Sequence, residues 1–381
     1  MSKRLKILLT RDRSAFSTKW VCNFATNLAD AGHEVTLLCD SAENKIDAPI
    51  SPEVTKINLS GKTDNFLLNL WYRLRRHITL PTWRFGRALR RIQPDVIICY
   101  FLQDLLNVTL MQKHDIPIIL MMHNPPDEVF QKHLKHWWKR ILFHRLMKRV
   151  TTVQVLMPEF VDLFKKEFPE KEVVVIPNQV PIPNEQKDYT NRSKTIIHVA
   201  QIAKAKRQKD LIEAFIPLAA EFPDWKIKFF GKVKNSHRHN KYRAELQRLI
   251  ETHHLENQIL LPGFSHNITE EYLNSDIVVL PSYTEGFGYG LADGLALGLP
   301  GIGYDFAYAI NRILVNEKSG YLVKDIQDMT AKLRLLMQSP QLRQQMGEFA
   351  RRDMQKYAPQ KVISAWLDLI NHVLEKQKNV R

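Results

Sequence analysis

The sequence predicts an α/β protein made of two doubly wound parallel-sheet domains, and three features carry that expectation. The chain has 381 residues, more than one ordinary α/β domain holds and about right for two. Short apolar runs alternate with longer stretches of helical periodicity in both halves, the pattern of parallel strands joined by helical crossovers. Between the halves, Pro177, Pro181 and Pro183 stand among Asn, Gln and Glu residues, where neither helix nor strand is sustained.

In the first half the strand candidates are Leu5–Thr10, Glu34–Cys39, Val96–Tyr100, Ile116–Met122, Thr152–Leu156 and Val173–Ile176. Most are separated by helical segments. The stretch Phe16–Ala31 ends at Gly32, a residue suited to closing a helix before the second strand. After the break, strands are expected at Thr195–Val199, Lys226–Phe230, Ile259–Leu261, Ile277–Leu280 and Gly301–Tyr304. The C-terminal end carries helical periodicity only, through Leu333, Leu336 and Met337 and again through Val362, Trp366, Leu369 and Val373. The expected division is an N-terminal domain 1–180, a linker 181–193, a C-terminal domain 194–357, and a last helix in 358–381 that packs back on the N-terminal domain.

Composition narrows the chemistry. A hydrophobic content of 44% supports real cores, and Cys22, Cys39 and Cys99 have neither an even count to pair nor metal-ligand spacing. Arg11, Asp12 and Arg13 cut the first apolar run short of a signal-peptide core, and no run approaches the roughly 18 residues of a membrane span. A cytoplasmic protein is expected. Its net charge of +15 asks for an anionic partner, yet no nucleic-acid motif accompanies the charge, so nucleic acid is not expected.

Ligands of doubly wound sheets bind beyond the carboxyl ends of the strands. After Ile277–Leu280 comes Pro281-Ser-Tyr-Thr-Glu285-Gly286-Phe287-Gly288-Tyr289-Gly290, then a helical run. Glycines at alternate positions allow a tight turn, and the helix start offers amides to an anion. Glu285 stands at the mouth of that helix, and Asp293 lies a turn and a half inside it. An ordinary turn, with acids favouring a helix N-terminus, fits the same spacing.

The run from Glu285 to Asp293, with Gly298 and Pro300 behind it, resembles the glutamate, seven residues, glutamate motif of retaining glycosyltransferases of the GT-B fold. Such enzymes include those of bacterial lipopolysaccharide, capsule, exopolysaccharide and teichoic acid synthesis (glycosyltransferase family 4 type). Pro177-Asn178, Lys206 seven residues beyond Val199, Gly231, Pro262-Gly263-Phe264, Asn311 and Gly320-Tyr-Leu-Val323 fall in that family's order. The resemblance implies two Rossmann-like domains facing across a cleft. It also implies that Glu285 contacts donor-sugar hydroxyls, that Asp293 contacts the ribose, and that Lys206 neutralises the diphosphate. The amides of Phe287, Gly288, Tyr289 and Gly290 would cap that diphosphate. The resemblance calls for no metal and no cofactor beyond a nucleotide-sugar donor, a UDP-sugar.

This chain departs from the family pattern in several places. The second glutamate is Asp293, the arginine usually paired with the lysine is Gln201, and Arg312 replaces a glutamate. Ser14 to Ser17 stand where a glycine pair is expected. Arg207 or Lys204 would then supply the charge that Gln201 lacks. His123, at the end of Ile116–Met122 and followed by Pro125 and Pro126, suits a place beside the reacting sugar; a loop histidine bonded to backbone is the plainer reading.

Two segments, 66–91 and 132–149, each hold seven basic and no acidic residues, interleaved with tryptophans. Leu134, Trp137, Trp138, Ile141, Leu142 and Leu146 recur at helical spacing. Such helices suit an anionic membrane surface on the inner face of the cell membrane, and they equally suit crossover helices with solvated charges. The expectation is a hexosyl transferase acting on a glycan or lipid-linked acceptor. A phosphorylase or nucleotide-sugar epimerase, and a catalytically degenerate partner subunit, are the rivals.

Overall fold

The computed structural model describes residues 4–12, 19–40, 49–59, 82–100, 102–111, 116–233 and 236–379. The chain forms two compact units, Met1–Gln179 with Pro359–Arg381, and Val180–Ala358.

The first unit is built on seven parallel strands: β1 (Lys6–Asp12), β2 (Glu34–Asp40), β3 (Thr55–Asn58), β4 (Val96–Cys99), β5 (Ile118–Met122), β6 (Thr152–Val155) and β7 (Val173–Val175). Their order is β3-β2-β1-β4-β5-β6-β7. Parallel sheets are covered on both faces, so their inner strands read as unbroken apolar runs. Both Val96–Cys99 and Ile118–Met122 are buried at every residue. The strand missing from the sequence reading, β3, lies at the sheet edge, where its four residues are only half-buried or exposed and give no apolar run.

Between β1 and β2 lies the helix Lys19–Asp30. It ends as expected at Gly32, which has φ +93° and donates its amide to the Ala29 carbonyl. The earlier part of the predicted helix, and Ser14 to Ser17, lie outside the described residues. The last helix, Pro359–Lys378, belongs to this unit. Trp366 is fully buried against Phe24 at 5.0 Å, while His372 and Lys376 bind Glu172 at 3.0 and 2.8 Å.

The second unit repeats the plan with β8 (Thr195–Val199), β9 (Lys226–Phe230), β10 (Ile259–Gly263), β11 (Ile277–Leu280), β12 (Gly301–Tyr304) and β13 (Gly320–Val323). All pairs are parallel, in the order β10-β9-β8-β11-β12-β13. Only β13 escaped the strand reading. It is a four-residue edge strand beginning at Gly320, where a Cβ would collide with the Gly301 carbonyl. The helices Ile326–Gln338 and Pro340–Met354 follow, started by Asp325 and Ser339 accepting from the Asp328 and Leu342 amides.

The irregular strip that the prolines forecast is fastened to the second unit. Lys187 is buried, 3.5 Å from Asp276, and donates to the carbonyls of Asn191 and Leu273. A buried ammonium needs such partners. Burial lowers its pKa, and the Asp276 carboxylate works against that fall. Tyr189 donates its hydroxyl to the Gly298 carbonyl at 2.8 Å.

Candidate functional site

In the second unit the strand order reverses between β8 and β11, and the crevice beyond a reversal point is where doubly wound sheets take ligands. The loops leaving these two strands meet there. The first contains a short turn, Lys204–Lys206, and the second runs from Pro281 to the helix Tyr289–Ala296. The Tyr283 amide donates to the Ala205 carbonyl at 3.0 Å and ties the loops together.

At this junction Lys206 Nζ lies 2.6 Å from Glu285 Oε1, and the Ser282 hydroxyl donates to the same oxygen at 2.7 Å. Seventy-nine positions separate the pair in sequence. Both remain reachable, with a quarter of the Lys206 side chain and 13% of the Glu285 side chain exposed.

The helix starts where the glycine spacing places it. Gly288 is the cap, in left-handed conformation at φ +87°, a region that costs other residues energy. Leu291 and Ala292 close their amides onto the Gly288 carbonyl, so the amides before them are ones the helix does not use. A Cβ on Gly290 would strike the Val199 carbonyl, so glycine lets the helix start sit directly on the end of β8. Tyr272, fully buried, donates to the Gly290 carbonyl at 2.8 Å and braces it. Burial, and then the charge of Asp293, push the Tyr272 hydroxyl well up. Asp293 is half-buried on this helix, one and a half turns in, and Phe287 is a core residue set edge-on to Tyr357.

The other residues that the sequence reading expects at a donor site flank this core. Gly231 ends β9 beneath the first loop, where a Cβ would hit the Ala200 carbonyl. The Gln201 carbonyl accepts from Gln208 at 3.0 Å, while its own buried Nε2 has no partner among the described residues. Arg207 is held inward. Its guanidinium binds Asp210 at 2.6 and 2.7 Å and lies 4.7 Å above the Tyr304 ring, and the Tyr304 hydroxyl also donates to Asp210. Lys204 is exposed. Of the two cations expected to stand in at Gln201, Lys204 is therefore the one with no carboxylate partner among the described residues.

Sequence reading passed over His198, which is wholly buried on β8 with its ring 5.3 Å from Phe229. Burial, with the Lys206 charge as a lesser contribution, pushes its pKa down to about 3. The signal was a histidine inside an otherwise apolar strand. Asp210 and Tyr304 were also missed, since nothing in the sequence pairs them with Arg207.

In the first unit His123 follows β5. It stacks on Tyr100 at 4.4 Å and meets Trp20 edge-on at 4.3 Å. Pro125 and Pro126 start the helix Pro126–His133. His123 is thus held by aromatic rings at the carboxyl ends of neighbouring strands β4 and β5. Asn178 is buried, with Oδ1 unpartnered among the described residues.

Residues 182–353 match the family model for glycosyl transferases group 1, and residues 18–182 match that for glycosyltransferase family 4. An uncharacterized glycosyltransferase of Haemophilus influenzae is 24% identical over 210 residues, 55% of this chain and 58% of its own. The poly(ribitol-phosphate) alpha-N-acetylglucosaminyltransferase of Staphylococcus aureus is 24% identical over 208 residues, 54% of this chain and 41% of its own. The chain thus spans about half the length of the curated relatives it matches. Among solved structures, sucrose-phosphate synthase from Thermosynechococcus elongatus superposes with a TM-score of 0.80 over 98% of this chain and all of that one, at 15% identity. A mutant of S. aureus TarM, in complex with fondaparinux, alpha-GlcNAc-glycerol and UDP, gives 0.74 over 97% of this chain and all of that one, at 15% identity. The fold is thus of the GT-B type, with two Rossmann-like halves.

Proposed function

The chain belongs to the glycosyltransferases, its halves being of the family 4 and group 1 types, and from that membership we propose a retaining hexosyl transfer from a UDP-sugar to a glycan or lipid-linked acceptor of the bacterial envelope. The observation that carries this reading is the Lys206–Glu285 pair at the reversal point of the second sheet, beside a helix N-terminus.

In this reaction the acceptor hydroxyl oxygen bonds to the anomeric carbon, the bond from that carbon to the diphosphate breaks with its electron pair going to the diphosphate, and the acceptor's proton passes to the departing diphosphate and on to solvent. Negative charge grows on the departing nucleoside diphosphate. In this reading Lys206, drawn off Glu285 by the diphosphate, and the amides around Gly288 meet that growing charge, which favours the transition state over the ground state. Because Lys206 and the helix start supply positive charge, this reading assigns no metal to the step. The Glu285 carboxylate accepts hydrogen bonds from sugar hydroxyls, and Asp293 accepts them from the ribose. His123 acts in the first unit, on the side of the acceptor and the reacting sugar. The solved TarM with UDP supports the choice of nucleotide, and the poly(ribitol-phosphate) relative supports an envelope polymer as acceptor class.

A panel of nucleotide sugars assayed for slow donor hydrolysis tests the reading without an acceptor. One UDP-sugar should be hydrolysed by the native chain and not by Lys206→Ala or Glu285→Ala. Equal hydrolysis by all three proteins, or none with any donor, would refute it.

A further inference from the structure

The helix Trp137–Met147 carries apolar side chains on two opposite faces. Phe143, Leu146 and Met147 are buried, as is Leu134 just before the helix. Trp137, Trp138, Ile141 and Leu142 point the other way and are 74%, 52%, 46% and 36% exposed. Positions 138, 141, 142 and 145 are three or four apart and form one stripe. A crossover helix needs a single apolar face against its sheet. The second face here fills no core, although the sequence had grouped Leu134 and Leu146 with the tryptophans.

The charges around the stripe divide into two sets. Arg140 and His144 are both engaged by Glu167 at 2.7 Å. Lys135, Arg145 and Lys148 are exposed and form no ion pair among the described residues, and Lys139 Nζ lies 5.3 Å above the Trp138 ring. The other basic segment behaves differently in its described part, the helix Thr82–Ile92. There Phe85, Ala88 and Leu89 are buried, and among the side chains described on this helix the exposed ones are Arg87, Arg90 and Arg91. Its earlier residues, 66–81, lie outside the described ones.

We propose that the outward face of Trp137–Met147 seats the protein on an anionic bilayer. Trp137, Trp138, Ile141 and Leu142 enter the boundary between headgroups and acyl chains, with Lys135, Lys139, Arg145 and Lys148 against the headgroups. Indole rings suit that boundary because they join a large apolar surface to one N–H donor. The unpaired cations match anionic lipid in sign, and no carboxylate in 131–149 opposes them. The seat stands on the helix alone; it deepens the transferase reading only by bringing the first unit to a lipid-linked acceptor.

The test is co-sedimentation of the full chain with vesicles of phosphatidylcholine, alone or mixed with phosphatidylglycerol, at low and high salt. Binding should require phosphatidylglycerol and fade as salt rises. Each of Lys135→Ala, Arg145→Ala and Lys148→Ala should weaken it about fivefold. The double variant Trp137→Ala with Trp138→Ala should abolish it, and the exposed-arginine variant Arg87→Ala with Arg90→Ala should leave it unchanged. Equal binding to both vesicle types, no binding, native-like binding by the tryptophan variant, or equal loss in the arginine variant would overturn the proposal. Because donor hydrolysis is followed in parallel, hydrolysis without vesicle binding sinks the seat alone. Vesicle binding without hydrolysis sinks the transferase reading alone.

Discussion

Replacing Glu285 with glutamine removes the charge that holds Lys206 and keeps nearly the same shape, so the two predicted effects run in opposite directions. In the chain without donor, Lys206 Nζ is 2.6 Å from Glu285 Oε1, and a diphosphate has to draw the ammonium away from that carboxylate. Unit charges at this distance attract by roughly 6 kcal/mol at an effective dielectric of about 20, before desolvation is subtracted. A charge-assisted hydrogen bond is worth about 1.5–3 kcal/mol net. Since a quarter of the Lys206 side chain meets water, the lower end applies, and about 1.5 kcal/mol corresponds to roughly tenfold in affinity. Glu285→Gln should therefore bind UDP about five- to tenfold more tightly in calorimetry. UDP lacks the donor hexose, so the lost contact to the hexose hydroxyls does not enter that measurement. Hydrolysis of the UDP-sugar should fall in the same variant, because the carboxylate that accepts from the sugar hydroxyls is gone. Unchanged or weaker UDP binding would refute the idea that the pair restrains Lys206.

Lys206→Ala should weaken UDP by at least about tenfold, and unchanged calorimetric binding would remove the lysine from the phosphate site. Gly290→Ala should weaken UDP while the protein stays folded, since the new methyl meets the Val199 carbonyl and displaces the helix start; circular dichroism with calorimetry checks both halves. His123→Ala should lower turnover far more than it weakens UDP binding, and native turnover would return His123 to a packing role between Tyr100 and Trp20. His198 carries an acid sensitivity. Its folded pKa, about 3, lies below the unfolded value of 6.5, so its stability contribution is full above pH 6.5 and is lost as pH falls, by about 2 kcal/mol at pH 5. His198→Phe should flatten the fall in melting temperature between pH 7.5 and 5, and an unchanged slope would count against the assignment.

The sequence is most legible where burial is two-sided. The strands Thr195–Val199, Lys226–Phe230, Ile277–Leu280 and Gly301–Tyr304 have the bounds their apolar runs suggest, because they lie in the interior of the sheet or carry its inner faces. The edge strands β3 and β13 lack that pressure, and their composition shows no comparable run. At the candidate site, glycine spacing locates the helix start, since backbone approach excludes a Cβ there. The meeting of Lys206 with Glu285 is a property of strand order, which no local pattern encodes. The clamp of Asp210 and Tyr304 on Arg207 is invisible for the same reason. Periodicity likewise finds a stripe along Trp137–Met147 but not the direction each side chain takes, because a helix with apolar residues on both sides offers two candidate inner faces.

The return of Pro359–Lys378 to the first unit bears on the order of synthesis. That helix leaves the ribosome after the whole of Val180–Ala358, so the unit that is synthesised first is completed last. Until Trp366 arrives, Phe24 lacks the ring it packs against at 5.0 Å, and Glu172 lacks both His372 and Lys376. The nascent N-terminal portion therefore waits with the apolar surface around Phe24 uncovered. Stop codons late in the reading frame would damage the part of the protein encoded at its beginning.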